Sequence, residues 1–296
     1  MGLNMIEEFL NYLKYEKNRS DKTIEAYGND LREFETYFEH LEGQLSWESV
    51  DSDVIRGWME SMMDRGNAAT SVNRRLCAVR SLYRFALSRQ MVERDPSVIV
   101  VGPKKDKPLP QFVREKDMDR LIDDMEWGDS YSDILTRTLL ILLYETGIRL
   151  AELVGLDDID VDFVNRQLKV TGKRNKQRII PFGEELAAEL SRYIEKRNSE
   201  VERESDALLV TKTGKRISRK TVYSRVKDGL SRVTSMKKRS PHVLRHSFAT
   251  AMLNNEAGLE SIRKLLGHES VATTEIYTHT TFEQLKKEYS KAPPRA

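Results

Sequence analysis

The chain has 296 residues, which is longer than a typical single domain and about the length of two. Charged residues make up 32% of it and hydrophobic residues 39%, so a disordered chain, a collagen and a disulfide-rich scaffold are excluded. The net charge of +2 gives, by itself, no sign of a polyanionic partner.

The amino-terminal segment lacks the pattern of an export signal. Glu7 and Glu8 interrupt the region where a signal peptide would have a basic stretch followed by an apolar core. The longest apolar run, residues 139–144, is too short to cross a bilayer. Cys77 is the single cysteine, so the chain cannot form an internal disulfide. We therefore expect a cytoplasmic protein that has no membrane partner.

Charge is strongly segregated along the chain. Residues 1–67 contain seven basic and fifteen acidic residues, a balance of −8. Residues 68–92 contain five arginines and no acid, and residues 166–178 contain six basic residues and no acid. Residues 211–245 contain twelve basic residues and one acid. The small net charge is therefore an average over acidic and basic blocks. The basic blocks leave nucleic acid possible as a partner.

The first hundred residues are predicted to be helical, because apolar residues recur there at helical spacing. The four predicted helices cover residues 6–13, 24–38, 51–63 and 68–88. Residues 102–110 then combine three prolines with four charged residues, which a helix cannot continue through. This composition predicts a helical domain over 1–100, a linker over 101–112 and a second domain over 113–296.

The second domain is predicted to be mixed. Two strands are expected at 163–170 and 177–181, joined by a turn over 172–176. Helical periodicity covers residues 118–125, 134–144, 184–197, 219–233, 243–253 and 259–266. The predicted fold class is mainly α with a small β-sheet.

Four of the five histidines lie in the last 55 residues, at positions 242, 246, 268 and 279. A metal site is one hypothesis for such a cluster, but the HExxH pattern is missing and no acid or cysteine lies between residues 241 and 253. Arg245 also lies between the first two histidines, where its charge would oppose a divalent cation. The spacing therefore argues against a metal ion at these histidines.

A phosphate site is the better hypothesis. Arg149 and Arg245 have guanidinium groups that can bind phosphate oxygens in a bidentate manner, and Lys173 in the predicted hairpin turn can donate a proton. Tyr277, nine residues after His268, is a candidate nucleophile for phosphoryl transfer. Each of these residues alone is ordinary: a surface ion-pair arginine, a solvated turn lysine or a core tyrosine.

Several segments together resemble the tyrosine recombinase (phage integrase) family, and within it the Xer-type recombinases. They are TGIRLAEL (146–153), VTGKRNKQRIIPF (170–182), SPHVLRHSFAT (240–250), LLGHESVATTEIYTH (265–279) and the terminal PPRA. The family's six-residue pattern is matched at every position by Arg149, Lys173, His242, Arg245, His268 and Tyr277. The resemblance covers nearly the whole chain and implies a SAM-like helical core-binding domain followed by a mixed α/β catalytic domain.

The resemblance implies site-specific DNA recombination through a covalent 3′-phosphotyrosine intermediate at Tyr277. Such an ester conserves the bond energy, so we expect no metal and no other cofactor. The two arginines would neutralise the non-bridging phosphate oxygens, and His242 would help to remove the tyrosine proton. His268 would donate a hydrogen bond to the phosphate, and Lys173 would protonate the leaving 5′-hydroxyl. Glu152, one turn after Arg149, is expected to orient that arginine through an ion pair. His246 and His279 are expected to lie outside the chemistry.

Double-stranded DNA is the expected partner, and two groups of basic residues are expected to contact it. The first group lies on the fourth helix and the second in the block before the catalytic histidine: Arg74, Arg75, Arg80, Arg84, Lys215, Arg216, Arg219 and Lys220. The family resemblance also implies that the terminal segment, including residues 282–289, docks into a neighbouring protomer. Docking of this segment within its own chain stays open for the free protein. A homotetramer or heterotetramer on two duplexes is therefore implied, and a DNA translocase is a candidate partner.

Three alternatives stay open at this point. An integrase or excisionase of a mobile element would share the catalytic residues, although many such enzymes have an additional amino-terminal domain. A type IB topoisomerase would share the chemistry but would act as a monomer without choosing a site. A catalytically silent DNA-binding protein would not need the intact set of six residues.

Overall fold

The computed structural model describes residues 5–41, 46–104, 111–172, 175–267, 289 and 294. The chain divides into two compact units, Met1–Pro108 and Leu109–Ala296. Both units are mainly helical and the second contains a small antiparallel sheet, so the predicted fold class is confirmed. The domain limits predicted from the sequence stay a prediction.

The first unit is a set of helices. In chain order they are α1 (Met5–Asn11), which continues as a π-helical turn (Tyr12–Glu16), α2 (Asp21–Glu39), α3 (Ser52–Asp64) and α4 (Ala69–Ser88). Asp51 begins α3, because its carboxylate accepts hydrogen bonds from the backbone N–H groups of Asp53 and Val54 at 2.9 and 3.0 Å.

An aromatic cluster forms the centre of the first unit. Phe34, Trp47 and Trp58 are almost completely buried, and their rings lie 4.6 to 5.6 Å apart around Phe34. The buried Tyr83 hydroxyl donates to the carbonyl oxygen of Trp47 at 3.0 Å. Burying each such side chain contributes about 1.5–3 kcal/mol, so this cluster positions α2, α3 and α4 against one another.

The second unit combines helices with the sheet. Its elements are α5 (Glu115–Asp119) with a π-helical turn (Arg120–Asp124), α6 (Tyr131–Thr146), α7 (Leu150–Val154), a 3₁₀ turn (Asp158–Asp160), β1 (Val161–Asp162), β2 (Gln167–Thr171), β3 (Gln177–Pro181), α8 (Glu184–Glu200), α9 (Arg219–Ser231), α10 (Pro241–Asn254) and α11 (Leu259–Leu266).

Helix α6 is the central element of the second unit. Its residues 139–144 are completely buried, because this run is apolar on all sides and the helix packs against α8, α9 and α10. Two carboxy-terminal residues also contact this helix: Tyr289 donates from its hydroxyl to the carbonyl of Glu145, and Tyr144 donates to the carbonyl of Pro294, each at 3.1 Å. Among the described residues, no helix is both long and apolar enough to span a bilayer.

The sheet has the strand order β1–β2–β3, and both pairs are antiparallel. In the longer pair, Gln167 lies opposite Pro181 and Thr171 lies opposite Gln177. The strand predicted at 163–170 was too long, since residues 163–166 form the turn between β1 and β2. Asp162 stabilises this turn by accepting hydrogen bonds from the backbone and side chain of Asn165 at 2.9 and 2.7 Å.

Candidate active site

Arg149 lies at the corner between α6 and α7. Helix α6 ends at Gly147, which has φ +59°, and a Cβ at this position would overlap the ring of Phe248, so glycine is required. Arg149 then precedes α7, and its backbone N–H and its Nη1 donate to Glu152 Oε2 and Oε1, each at 2.8 Å. One carboxylate therefore fixes both the backbone and the side chain of this arginine.

Arg245 is supplied by α10, which begins two residues before the predicted limit of 243, with Ser240 as its capping residue and Pro241 in its first turn. The residue is 5% exposed, and its guanidinium donates to the carbonyl of Gly147 and to that of Leu266, each at 2.6 Å. Burial, together with the positive charges of nearby arginines, lowers the pKa of Arg245 to about 10. The group still carries its charge at neutral pH.

Arg178, on β3, joins these residues and was missed by the sequence analysis. Its Nη1 and Nη2 donate to the two carboxylate oxygens of Glu152 at 2.8 and 2.9 Å, and its Nε donates to the carbonyl of Leu265 at 2.8 Å. The spacing in the predicted strand could have indicated it. Arg178 lies two residues before the buried Ile180 and therefore on the same face of β3.

The end of α11 is the point where the three guanidinium groups meet. The carbonyl oxygens of residues 265–267 accept hydrogen bonds from Arg178, Arg245 and Arg149 at 2.8, 2.6 and 2.7 Å. A helix carboxy terminus carries partial negative charge and unpaired carbonyls, so it is a favourable anchor for cations. Each guanidinium is therefore held in position before any substrate binds.

The cluster carries an excess of positive charge. Arg149 and Arg178 donate to the carboxylate of Glu152, and Arg245 interacts with it electrostatically. Three guanidinium groups and one carboxylate leave the cluster with a net charge of +2. Burial would raise the pKa of Glu152, but hydrogen bonds from Arg178 and from the Arg149 backbone, with the charge of Arg178, lower it to about 2. Glu152 is thus ionised at neutral pH, and the site is prepared for an anion.

His242 and His246 lie side by side on α10. Their ring centroids are 4.6 Å apart in an edge-to-face arrangement. His242 is exposed, whereas burial, followed by the neighbouring His242 and Arg245, lowers the pKa of His246. No set of three or more histidine, cysteine or carboxylate side chains that could hold a metal occurs within the described part of the chain.

An open pocket of about 450 Å³ lies in front of the cluster. Arg149, His242 and Arg245 line it together with Arg219 and Tyr223 of α9. The remaining wall is formed by Ile148, Leu150, Ala151, Ser240 and Pro241. Three of the six residues predicted to carry the chemistry are thus brought together in one pocket.

The other three predicted residues, Lys173, His268 and Tyr277, lie outside the described residues. The residues that precede two of them do reach the cluster. A Cβ at Gly172 would lie 3.2 Å from Oε1 of Glu152, and the Gly267 carbonyl accepts from Arg149. The predicted roles of these three residues stay a prediction.

The predicted DNA-contacting residues of α4 differ in their surroundings. Arg74 donates to the buried Asp30, and Arg75 is close to the same carboxylate and donates to Asn67 at 3.0 Å. Arg80 donates to the backbone carbonyl of Val100 and is half-buried. These three arginines therefore hold α4 in the first unit, whether or not they also contact DNA.

Arg84 on α4 is exposed, and so are Lys215, Arg219 and Lys220 of the second unit. Arg216 donates at 3.0 Å to the backbone carbonyls of residue 154, the last of α7, and of residue 156. The exposed basic side chains near the pocket therefore include Arg219, which lines it. Contact of these residues with DNA stays a prediction.

The chain matches two family descriptions. Residues 111–284 match the phage integrase family, and residues 6–90 match its amino-terminal SAM-like domain. A tyrosine recombinase XerC of Chlorobaculum tepidum is 38% identical, with 98% of this chain and 94% of that protein covered. A tyrosine recombinase XerD of Staphylococcus epidermidis is 34% identical, with 99% of each chain covered.

The fold is also similar to that of a solved integrase of the Tn1549 transposon in complex with circular intermediate DNA. The TM-score is 0.70 at 18% identity, and the match covers 96% of this chain and 98% of the integrase chain. A XerA recombinase structure matches with a TM-score of 0.50 at 26% identity, covering 97% of this chain and 98% of that chain.

Proposed function

Because the chain belongs to the phage integrase family and is a tyrosine site-specific recombinase, we propose that it resolves chromosome dimers by exchanging DNA strands through a Holliday junction. The observation that carries the strand-cleavage chemistry is the anchoring of Arg149 and Arg245 by backbone carbonyls beside one pocket. The full-length similarity to recombinases named XerC and XerD supports the chromosomal role over that of a mobile element.

The two arginines act as a clamp on the scissile phosphate. A guanidinium has five N–H donors, and the anchoring contacts of Arg149 and of Arg245 use two each within the described part of the chain. The remaining donors can bind the non-bridging phosphate oxygens. Attack on a phosphodiester produces a phosphorane with two negative charges, which the cluster's net charge of +2 balances. Preorganised charge of this kind stabilises the transition state more than the ground state.

The covalent step uses Tyr277 as the nucleophile. Its phenolic oxygen forms a bond to phosphorus while the bond from phosphorus to the 5′-oxygen breaks. A tyrosine phenol has an ordinary pKa of about 10, so its proton must be accepted, and we assign that role to His242. Lys173 gives a proton to the departing 5′-oxygen, and His268 donates a hydrogen bond to the phosphate.

The product of this step is a 3′-phosphotyrosine ester and a free 5′-hydroxyl. The ester conserves the phosphodiester bond energy, so a 5′-hydroxyl from another strand can attack it and regenerate the tyrosine. The balance of bonds requires neither ATP nor a metal ion. We propose that Glu152 keeps Arg149 in position during both steps, since it contacts the backbone and the guanidinium of that residue.

DNA binding and assembly complete the proposal. The exposed basic side chains at residues 84, 215, 219 and 220 contact the phosphate backbone of duplex DNA in the cytoplasm. The segment containing residues 282–289 exchanges into a neighbouring protomer, which gives a homotetramer or a heterotetramer on two duplexes. A DNA translocase acts on the same complex when the chromosomes separate.

The covalent step is tested with a nicked substrate that traps the adduct. A library of DNA duplexes with a randomised central segment is first selected for binding to the Tyr277→Phe variant. We call the recovered sequence the selected duplex. It is then nicked near the cleavage position. The wild type forms an adduct that resists denaturing detergent and persists in EDTA. Tyr277→Phe binds the same duplex and forms no adduct.

Two results would refute this function. One is an adduct that survives the Tyr277→Phe substitution, because the nucleophile would then be another residue. The other is loss of the adduct in EDTA, because the chemistry would then depend on a metal ion. Strand exchange between two selected duplexes, visible as a four-way junction on a native gel, tests the Holliday-junction step.

A further inference from the structure

We infer that Arg178 is a positioning residue of the phosphate clamp: it holds Glu152 and the end of α11 in the arrangement that aims Arg149 and Arg245 at the substrate. This inference rests on the proposed function. It assigns a role to a residue outside the set of six that the sequence pattern identifies, and it rests on the contacts of β3.

The first step is that Arg178 determines where Glu152 lies. Its two terminal nitrogens donate to the two carboxylate oxygens at 2.8 and 2.9 Å, in the parallel geometry that fixes both distance and orientation. The same carboxylate accepts from the backbone and the side chain of Arg149. Removing Arg178 would therefore release the group to which Arg149 is tied.

The second step is that Arg178 also supports the other side of the clamp. Its Nε donates to the carbonyl of Leu265 at 2.8 Å, one residue before the carbonyl that anchors Arg245. Its guanidinium packs under Gly267, where an added Cβ would lie 3.1 to 3.3 Å from it. One planar side chain thus connects β3, α7 and the end of α11.

The third step is that lysine cannot replace this group. The guanidinium uses Nε, Nη1 and Nη2 at the same time for three acceptors on two different elements. An ammonium group is a single donor centre on a flexible chain, and it cannot hold three acceptors in one plane. The side chain is 16% exposed, so water cannot easily take over these contacts. We therefore expect Arg178→Lys to keep the charge and lose the alignment.

The test compares two substrates with the same sequence. Both are nicked selected duplexes, and one has a methylphosphonate at the cleavage position, which replaces a charged non-bridging oxygen with a neutral methyl group. A clamp that acts on phosphate charge matters less for this neutral substrate. A defect in folding or in DNA binding would slow cleavage of both substrates equally.

We expect Arg178→Met to slow adduct formation on the phosphodiester on the order of 100-fold. The reason is that a catalytic group displaced by about 1 Å lowers a reaction rate by this factor. The same variant should slow the methylphosphonate reaction by about tenfold or less, and DNA binding should be unchanged. Arg178→Lys should fall between Arg178→Met and the wild type. Arg203→Met is the matched control, since Arg203 forms an ion pair with Asp158 in the same unit, and its rate should equal that of the wild type.

A wild-type rate for both Arg178 variants would overturn the inference, and so would an equal defect on the two substrates. If Arg178→Met unfolds at the assay temperature, the Arg178→Lys variant is compared on both substrates with the same criteria. Failure of the wild type itself to form the adduct would refute the proposed function and, with it, the inference. Failure confined to the Arg178 comparison would leave the proposed function intact.

Discussion

Neutralising Glu152 by the Glu152→Gln substitution should destabilise the second unit in a pH-dependent way. The pKa of this carboxyl is about 2 in the folded chain against 4.5 for an ordinary glutamate. Because folding lowers its pKa, this carboxyl group adds to the free energy of unfolding. The contribution is complete above pH 4.5 and is lost as the pH falls towards 2. With about 1.4 kcal/mol for each pKa unit, the ionised carboxylate contributes about 3 kcal/mol at pH 7 and about 1 kcal/mol at pH 3.

The assay is urea unfolding of the wild type and of Glu152→Gln, followed by circular dichroism between pH 7 and pH 3. The difference in the free energy of unfolding should shrink from about 3 to about 1 kcal/mol across this range. Glu184→Gln is the control, because Glu184 is highly exposed in a surface ion pair and should change stability by less than about 1 kcal/mol. A difference for Glu152→Gln that does not change with pH would refute the reasoning.

Three further results are expected. Gly147→Ala should lower the free energy of unfolding in urea by about 3 kcal/mol, because alanine is strained at φ +59° and its Cβ would overlap Phe248; no change would contradict the close approach. Lys173→Ala should slow adduct formation by about 100-fold, and a 5′-thio leaving group, which needs no proton, should restore the rate; without rescue, Lys173 is not the acid. Arg219→Ala should reduce the slope of log affinity against log salt concentration by about 1 for any duplex, as measured by fluorescence anisotropy. An unchanged slope would exclude a contact between Arg219 and a DNA phosphate.

Local sequence patterns predicted the longer helices well, because most of them bury one face and the central run of α6 is apolar on all sides. The predicted limits of 259–266 agree with α11, and those of 243–253 lie within α10, which a capping serine and a proline begin two residues earlier. Helix α7 was missed, since five residues are too few to show a helical period. The strand predicted at 163–170 was too long, because the turn held by Asp162 and Asn165 lies within an otherwise strand-like run.

The candidate site was only partly predictable because its main contacts join distant parts of the chain. The motifs identified Arg149 and Arg245, but not that both are anchored by carbonyls at the end of α11. Arg178 lies 26 residues from its carboxylate partner and 87 from its carbonyl partner, so no local pattern shows the contacts. Likewise, the sequence did not show that Arg75, which is predicted to contact DNA, lies beside Asp30 and Glu33 of α2 in the fold. Its contact with DNA stays a prediction.

The most direct test of the central claim is to identify the residue that becomes attached to DNA. The adduct formed on the nicked selected duplex is digested with trypsin and nuclease, and the nucleotide-bearing peptide is sequenced by mass spectrometry. The account predicts a single phosphorylated peptide, residues 265–286, with the 3′-phosphoryl group on Tyr277. A nucleotide on Tyr223, which lines the same pocket, would contradict it.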